Sequence, residues 1–226
     1  MNTESWEDDE LSTPEFSGQR EEMVQRQIVR RGIVDVRVLE ALRQVPRHAF
    51  VPERHVAHAY DDSPVPIGFG QTVSQPYIVA FMLERLQLRG IERVLEIGCG
   101  SGYEAALLAN LCEEVYSLEI IPQLAAHAES VLTRLGYFNA HVRCGDGYLG
   151  VSEHAPFDRI IVSAAPNHVP ERLLEQLAPH GVMILPLGED EQRLVLFTKD
   201  EHGKISREDS VPVRFVPMTG LVRSVN

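Results

Sequence analysis

Apolar residues follow two alternating patterns along most of this chain. Short apolar runs are typical of buried strands, and longer stretches with an apolar residue every three or four positions are typical of helices that pack on one face. The predicted strands are 94–97, 114–119, 139–144, 157–162, 181–187 and 193–198, and the predicted helices are 21–32, 35–44, 76–86, 103–110, 122–135 and 170–178. Strands that alternate with helices over short connections predict an α/β fold with a doubly wound, mostly parallel sheet and helices on both faces.

The two ends of the chain depart from this alternation. Residues 1–20 are acidic, rich in Ser and Thr and almost without periodic apolar positions, which predicts a disordered tail. Residues 45–72 hold many prolines and glycines but keep several large apolar side chains, so they are predicted to be an ordered loop region. From Gly188 onward no helix-length pattern occurs, and an antiparallel extension of the sheet is expected. The predicted organisation is therefore the acidic tail 1–20 and a single domain, 21–226, that begins with helices.

Composition and charge narrow the classes of function. At 226 residues the chain can bury one sizeable core, and no apolar run approaches the roughly 20 residues that cross a bilayer. The first ten residues have no secretory features, so we expect a cytoplasmic protein that does not enter a membrane. The formal net charge is −12, and the first 22 residues hold eight acidic residues and one arginine, which argues against nucleic-acid binding through a basic face. The three cysteines are odd in number and widely spaced, which favours reduced thiols over a disulfide framework or a zinc site.

The strongest chemical signal is the stretch 93–103, RVLEIGCGSGY, which joins a predicted strand to a predicted helix. Gly98, Gly100 and Gly102 would form the turn, where glycine lets a ligand approach the backbone and the helix start offers free N–H groups. The G-x-G-x-G spacing is one residue tighter than the dinucleotide fingerprint, and Glu96 precedes the first glycine. This favours a site for S-adenosylmethionine over one for NAD, while a turn that only packs strand against helix stays an alternative.

Two further acidic residues follow neighbouring predicted strands. Glu119 lies 21 positions after Gly98 and closes its strand, where an acid is suited to ribose hydroxyls. Asp146 follows the next strand, directly before Gly147, and its carboxylate could accept a hydrogen bond from a nucleobase amino group. Each has an alternative interpretation, an exposed carboxylate at a strand end for Glu119 and an ordinary turn for Asp146. The succession of three such strand ends favours a cofactor site that also includes Glu96, Gly98, Gly100 and Gly102.

With these motifs and two others, GQTVSQPY at 70–77 and VRFVP at 213–217, the sequence resembles bacterial protein-L-isoaspartate O-methyltransferases over about residues 21–220. The resemblance implies a Rossmann-like S-adenosylmethionine-dependent methyltransferase that methylates the free α-carboxylate of isoaspartyl residues in damaged proteins and peptides. It also implies that Ser74 and Thr72 are catalytic and that the substrate is held by Gln71, Val73, Phe215 and Val216. We expect a monomer. We also expect no metal site, because His55 and His58 lack a third ligand of suitable spacing.

The hydroxyl residues suit the chemistry that the resemblance implies. An α-carboxylate with a pKa near 3.5 is ionised at neutral pH, so hydrogen bonds that orient it suffice and no general base is needed. On its own, Ser74 would be interpreted as the N-cap of the helix that begins at Pro76. The alternatives for the whole chain are a methyltransferase that acts on a small metabolite, a ligand-binding module without catalysis, and an NAD-dependent oxidoreductase.

Overall fold

A seven-stranded β-sheet forms the centre of the protein, which a computed structural model describes from residue 14 to residue 223. A two-stranded hairpin precedes the sheet. The strands are β1 Val65–Gly68, β2 Gln71–Val73, β3 Arg93–Ile97, β4 Glu114–Glu119, β5 Ala140–Cys144, β6 Phe157–Val162, β7 Leu177–Leu187, β8 Gln192–Lys199 and β9 Ile205–Val213. The order in the sheet is β5-β4-β3-β6-β7-β8-β9. The pairs from β5 to β7 are parallel, whereas β7, β8 and β9 pair antiparallel, as expected from the loss of helical patterns after Gly188.

Within residues 14–223, six α-helices accompany the strands. They are α1 Pro14–Met23, α2 Val36–Gln44, α3 Pro76–Leu86, α4 Tyr103–Leu111, α5 Pro122–Arg134 and α6 Glu171–Glu175. Local chemistry explains several starts: the Asp35 carboxylate accepts hydrogen bonds from the backbone N–H groups of Arg37 and Val38 and so caps α2. Proline stands in the first turn of α3 and α5, where its missing N–H costs nothing.

Both faces of the sheet are covered by apolar side chains. Along the central strands, neighbouring residues point to opposite faces, so Val94 and Ile161 pack against the layer of α2, α3, α4 and α5, whereas Leu95 and Ile160 pack against the layer that contains α6. A parallel strand that is buried on both sides reads as a continuous apolar run, which is why the runs in the sequence located these strands. The α/β class, the mostly parallel sheet and the antiparallel extension are confirmed.

The N-terminal boundary of the ordered chain was predicted too late. Residues 14–20, assigned to the tail from their composition, belong to α1, which continues through a π-helical turn, Val24–Ile28, and a 3₁₀ turn, Val29–Arg31. Phe16 stacks on the ring of His48 with 4.0 Å between centroids. This contact between residues far apart in the sequence stabilises the start of α1, although the local sequence has no periodic apolar pattern. The rest of the predicted tail, residues 1–13, lies outside the described residues.

Two other boundaries differ from the prediction. Helix α6 spans only Glu171–Glu175, and the end of the predicted helix 170–178 belongs to β7, where Leu177 pairs with Phe157. Within the ordered loop region, β1 and β2 form a hairpin that no alternating pattern indicated, because its strands have only four and three residues. No helix within residues 14–223 is both long and apolar enough to cross a membrane.

The chain after β9, residues 214–221, returns across the carboxyl edge of the sheet. Val216 accepts a hydrogen bond from Ala165 N at 2.8 Å, and Met218 N donates to Ala165 O at 2.7 Å. The buried side chain of Gln192 also holds this segment, since its Oε1 accepts from Phe215 N at 2.6 Å and its Nε2 donates to Phe215 O at 3.2 Å. We call residues 214–221 the C-terminal segment. It brings residues more than 100 positions away from the glycine motif to the same edge of the sheet.

Substitution of Gln192 tests this attachment. Gln192→Ala removes both hydrogen bonds to Phe215 and leaves its backbone groups without these partners, so the free energy of unfolding should fall by about 1–3 kcal/mol. Amide hydrogen exchange at Phe215 should accelerate, and chemical denaturation gives the stability change. Gln123→Ala, an exposed change in α5, is the matched control and should be close to neutral. Unchanged exchange in Gln192→Ala would show that other contacts hold the C-terminal segment.

Candidate active site

An open cleft of about 590 Å³, continuous with solvent, lies at the carboxyl ends of β3, β4 and β6. We call it the outer cleft. Its walls come from the hairpin, from the strand ends and from the C-terminal segment, and they are Gln71, Thr72, Ile97, Gly98, Gly100, Leu118, Glu119, Ile120, Ile121, Gly147, Ser163, Ala164, Val216, Pro217, Met218 and Thr219. Ligands of open parallel sheets bind beyond the carboxyl ends of the strands, so the outer cleft lies where a ligand of this fold is expected.

The glycine turn, residues 98–102, forms the floor of the outer cleft. Backbone N–H groups of Gly98 and Cys99 donate to Leu118 O at 2.8 and 3.2 Å, which fastens the turn to β4. Gly98, Gly100 and Gly102 have φ values of 88°, 58° and 94°, in the left-handed region that favours glycine. Helix α4 begins directly after Gly102, so the positive end of its dipole lies next to the turn. Gly98 and Gly100 line the cleft, whereas Gly102 shapes the turn from outside it.

The carboxylate of Glu119 joins the end of β4 to the glycine turn. Its Oε2 accepts a hydrogen bond from Gly100 N at 2.8 Å, and its Oε1 accepts one from Ile121 N at 2.9 Å. The side chain is 5% exposed and lines the outer cleft, and burial raises the pKa of this carboxyl above its ordinary value. Each oxygen keeps a second lone pair, so Glu119 can also accept hydrogen bonds from a pair of ligand hydroxyls.

Asp146 and Gly147 lie at the end of β5, but only Gly147 lines the outer cleft. Asp146 Oδ1 accepts from Tyr148 N at 3.0 Å, and its Oδ2 accepts from Leu221 N at 2.7 Å, which ties this turn to the C-terminal segment. A methyl group at Gly147 would overlap Cγ2 of Ile97, so a larger residue there would force Ile97 to shift. Asp146 thus has a structural role, and the hydrogen bond to a nucleobase stays a prediction.

A smaller inner cavity lies between the hairpin and the glycine turn. Its lining residues are Thr72, Val73, Ser74, Val79, Gly98, Cys99, Gly100, Ser101, Tyr103, Glu104 and Ser163. Thr72, Gly98, Gly100 and Ser163 line both spaces, so the inner cavity adjoins the outer cleft. The two hydroxyl residues of the TVS stretch therefore lie beside the glycine turn, although more than 20 residues separate them along the chain.

Arg47 fixes the backbone at Ser74. Its guanidinium is fully buried, with Nη2 donating to Ser74 O at 2.9 Å and Nε donating to Ala59 O at 2.7 Å. The N-cap of α3 is Gln75, so the interpretation of Ser74 as the N-cap is wrong. Because Arg47 holds the carbonyl group, the position of Ser74 does not depend on a hydrogen bond from its own hydroxyl.

Glu96 does not line either space. It is fully buried on β3, where its Oε2 accepts a hydrogen bond from the hydroxyl of Ser117 on β4. Burial, with repulsion from Glu104 and Glu119 adding to it, raises the pKa of Glu96 above its ordinary value. Glu96 thus joins the end of β3 to β4 through Ser117. Direct contact of Glu96 with a cofactor, expected from the sequence, stays a prediction.

The predicted substrate residues are divided between the two spaces. Gln71 and Val216 line the outer cleft and Val73 lines the inner cavity, while Phe215 is hydrogen-bonded to Gln192.

Three participants were missed from the sequence. Arg47 lies in the proline-rich loop region, Glu104 lies within an apolar helix, and Ser163 follows β6 without a motif. Only Glu104 could have been noticed from the sequence, because it is an acid in the otherwise apolar stretch YEAALLAN. A carboxyl group on a buried helix needs a hydrogen-bond partner. Its partner is the hydroxyl of Ser163, which donates to Glu104 Oε2.

The outer cleft fits the nucleoside cofactor expected from the sequence. Glu119 offers acceptors for ribose hydroxyls, the glycine turn presents backbone beside a helix N-terminus, and Gly147 leaves room between Ile97 and Met218. Ile97, Leu118 and Ile120 provide apolar surface for a base.

Fold and site together define a class, the α/β proteins that bind a nucleoside-containing cofactor at the carboxyl ends of parallel strands. The particular family follows from comparison with known sequences. The chain belongs to the protein-L-isoaspartate(D-aspartate) O-methyltransferase family, whose family model matches residues 18–223. The resemblance inferred from the motifs is confirmed.

Curated relatives and solved structures agree with this membership. A protein-L-isoaspartate O-methyltransferase of Synechococcus sp. (strain JA-2-3B'a(2-13)) is 52% identical over 211 residues, covering 90% of this chain and 86% of the relative. One of Geobacter metallireducens is 50% identical over 206 residues, covering 91% and 95%. A solved protein-L-isoaspartate O-methyltransferase superposes with a TM-score of 0.83 at 30% identity, covering 90% of this chain and 67% of that one. A Plasmodium falciparum structure of the same designation, in complex with S-adenosyl-L-homocysteine, has a TM-score of 0.78 at 28% identity, covering 88% and 98%.

Two neighbouring glycines offer a matched test of the cleft. Gly147→Ala forces Ile97 to move, so we expect a loss of about 1–3 kcal/mol in the free energy of unfolding and weaker binding of S-adenosylhomocysteine. Gly145→Ala is the control, because its new methyl group would lie 3.5 Å from Leu118 Cδ2, an ordinary contact. Thermal melting and calorimetric titration measure both effects. Equal behaviour of the two variants would contradict the assignment of Gly147 to the cleft.

Proposed function

We propose that this protein is a repair enzyme that transfers a methyl group from S-adenosylmethionine to the free α-carboxylate of L-isoaspartyl residues in damaged proteins and peptides. The observation that carries the proposal is the inner cavity, where the hydroxyl residues Thr72 and Ser74 lie beside the glycine turn of the cofactor cleft. Family membership over residues 18–223 supports the same reaction. The rival reading, a methyltransferase for a small metabolite, has no comparable observation in its favour.

The outer cleft would hold the cofactor. We assign Glu119 to the ribose hydroxyls, the glycine turn to the end of the cofactor nearest α4, and Asp146 with Gly147 to the nucleobase. When bound, S-adenosylmethionine supplies an electrophilic methyl group on a sulfonium sulfur. Of the residues assigned, Glu119 has the clearest support, since both of its oxygens are fixed by backbone N–H groups and the side chain lines the cleft.

The acceptor side of the site orients a group that is already reactive. An α-carboxylate is ionised at neutral pH, so no residue of the protein has to remove a proton from it. Ser74 and Thr72 would donate hydrogen bonds to the carboxylate and set its direction, and Arg47 keeps Ser74 in place through its carbonyl group. Positioning of this kind, with water excluded, can lower the barrier by roughly 7 kcal/mol. Gln71, Val73, Phe215 and Val216 would hold the substrate backbone around this point.

We also propose that the protein acts as a monomer in the cytoplasm, on proteins and peptides rather than on nucleic acid. Residues of a single chain line both the outer cleft and the inner cavity. The three cysteines are free thiols, as suits a reducing compartment. The formal net charge of −12 disfavours attraction to phosphate backbones.

The reaction is tested with two peptides that differ only in an isoaspartyl or a normal aspartyl linkage. Methyl transfer from labelled S-adenosylmethionine, measured as base-labile methanol, should occur with the isoaspartyl peptide and stay at background with the aspartyl peptide. Label on neither peptide, with cofactor binding demonstrated by titration, would contradict the proposed substrate. That result would favour a small-metabolite acceptor or a binding module.

Ser74 and Glu119 should separate catalysis from cofactor binding. Ser74→Ala removes one donor to a charged acceptor and should lower kcat/KM for the isoaspartyl peptide roughly tenfold to hundredfold, with cofactor affinity nearly unchanged. Glu119→Ala should instead weaken cofactor binding by about tenfold or more, because it loses charged acceptors for the ribose. Calorimetry and initial-rate kinetics on both variants give the comparison. Loss of cofactor affinity in Ser74→Ala would move Ser74 into the cofactor site.

A further inference from the structure

The inner cavity contains an acid that neither the motifs nor the proposed cofactor contacts account for. Glu104 lies in the first turn of α4 and is 8% exposed. Its Oε2 accepts a hydrogen bond from the hydroxyl of Ser163, while its Oε1 is buried and has no hydrogen-bond partner among the described residues. Glu104 lines the same cavity as Thr72 and Ser74, the residues assigned to the substrate carboxylate.

No cation among the described residues neutralises this acid. Within the described part of the chain, Glu104 takes part in no ion pair, and no lysine, arginine or histidine lines the inner cavity. The nearby Arg47 lies over the ring of Tyr103, at 4.8 Å from its centroid, but donates to two backbone carbonyls. The titratable groups around Glu104 from the packed elements are Glu96 of β3, Cys99 of the glycine turn, Tyr103 of α4 and Glu119 of β4.

We propose that Glu104 is a specificity-determining residue that admits the substrate carboxylate only while its own carboxyl is protonated. The proposal rests on the proposed function, because it concerns the same acceptor site. A protonated Glu104 is neutral and can donate a hydrogen bond from its free oxygen toward the cavity. An ionised Glu104 would place a negative charge, without a counter-ion, in the space that an anionic acceptor must enter, and binding would be weakened by repulsion.

The environment favours the neutral form. Burial raises the pKa of Glu104 above its ordinary value, and the hydrogen bond from Ser163 opposes this only in part. Burial raises the pKa of the neighbouring Glu96 as well, and repulsion between the two carboxylates opposes the ionisation of both. Because its pKa is raised in the folded protein, Glu104 ionises at a higher pH there than in the unfolded chain. Folding stability should therefore decline as the pH rises from the unfolded pKa to the folded pKa and then level off, whereas acceptor binding should weaken above the folded pKa.

Kinetics across pH with Glu104→Gln test the proposal. Glutamine has the same size and stays neutral, and its amide can still hydrogen-bond Ser163. In the wild-type protein, KM for the isoaspartyl peptide should rise with pH, approaching tenfold per pH unit once Glu104 is ionised, whereas in Glu104→Gln it should stay nearly level. Any titration of the peptide or the cofactor affects both proteins equally and is removed by the comparison. Glu129→Gln, an exposed change in α5 outside both the outer cleft and the inner cavity, is the matched control and should retain the rise in KM.

Two measurements that need no turnover accompany the kinetics. The difference infrared spectrum at low and high pH should contain the carbonyl band of a protonated carboxylic acid that Glu104→Gln lacks, and the Tm of the wild type should fall below that of Glu104→Gln as the pH rises. A level KM in the wild type, or an equal rise in both proteins, would overturn the role of Glu104 while leaving the proposed function intact. Methylation of neither protein at any pH would count against the proposed function, and the absence of the infrared band would then reject the protonated Glu104 independently.

Discussion

The hydrogen bond from Gly100 N to the Glu119 carboxylate is the interaction on which the geometry of the site depends. It joins the turn after β3 to the end of β4, and the second oxygen of Glu119 fixes the start of the next connection at Ile121. The Glu119 carboxylate therefore lines the outer cleft and also fixes the shape of the glycine turn, which forms the floor of that cleft. Because β3 is the middle one of the five parallel strands and leads directly into the glycine turn and α4, a displaced turn would also move Glu104, and so both the outer cleft and the inner cavity would change.

Much of the fold could be predicted because buried parallel strands leave a direct record in the sequence. Apolar runs located β3, β4 and β6, and helical spacing located the helices between them. The errors occurred where distant contacts override local pattern. Phe16 extends α1 into a stretch that is acidic in composition, and pairing with β6 draws the end of the predicted helix 170–178 into β7. A sequence pattern contains neither contact, since each joins residues that lie far apart in the chain.

The site could be predicted only where a motif follows a strand. Glycines after β3 and acids after β4 and β5 are readable because parallel strands end at a common edge, so their sequence positions imply proximity. Arg47 and Gln192 do not follow a parallel strand and act through backbone groups of distant residues. Ser163 does follow β6, but no motif surrounds it, and its hydroxyl donates to the side chain of Glu104. The placement of Ser74 came from family resemblance. What the sequence alone could not supply is the contact of Ser74 with Arg47, which depends on the packing of a proline-rich loop.

The absence of a cation from the described walls of both cavities fits the chemistry of the proposed reaction. A carboxylate loses its negative charge as an ester forms, so an arginine in contact with it would bind the substrate more strongly than the transition state and would raise the barrier. Neutral hydroxyl donors lose less as the charge disappears. The buried guanidinium of Arg47 donates hydrogen bonds to the carbonyls of Ala59 and Ser74. Arg47 therefore positions the backbone at Ser74 and is not a counter-ion for the substrate carboxylate. A site built in this way has to exclude uncompensated negative charge of its own, and that requirement gives a physical reason for a neutral acid at Glu104.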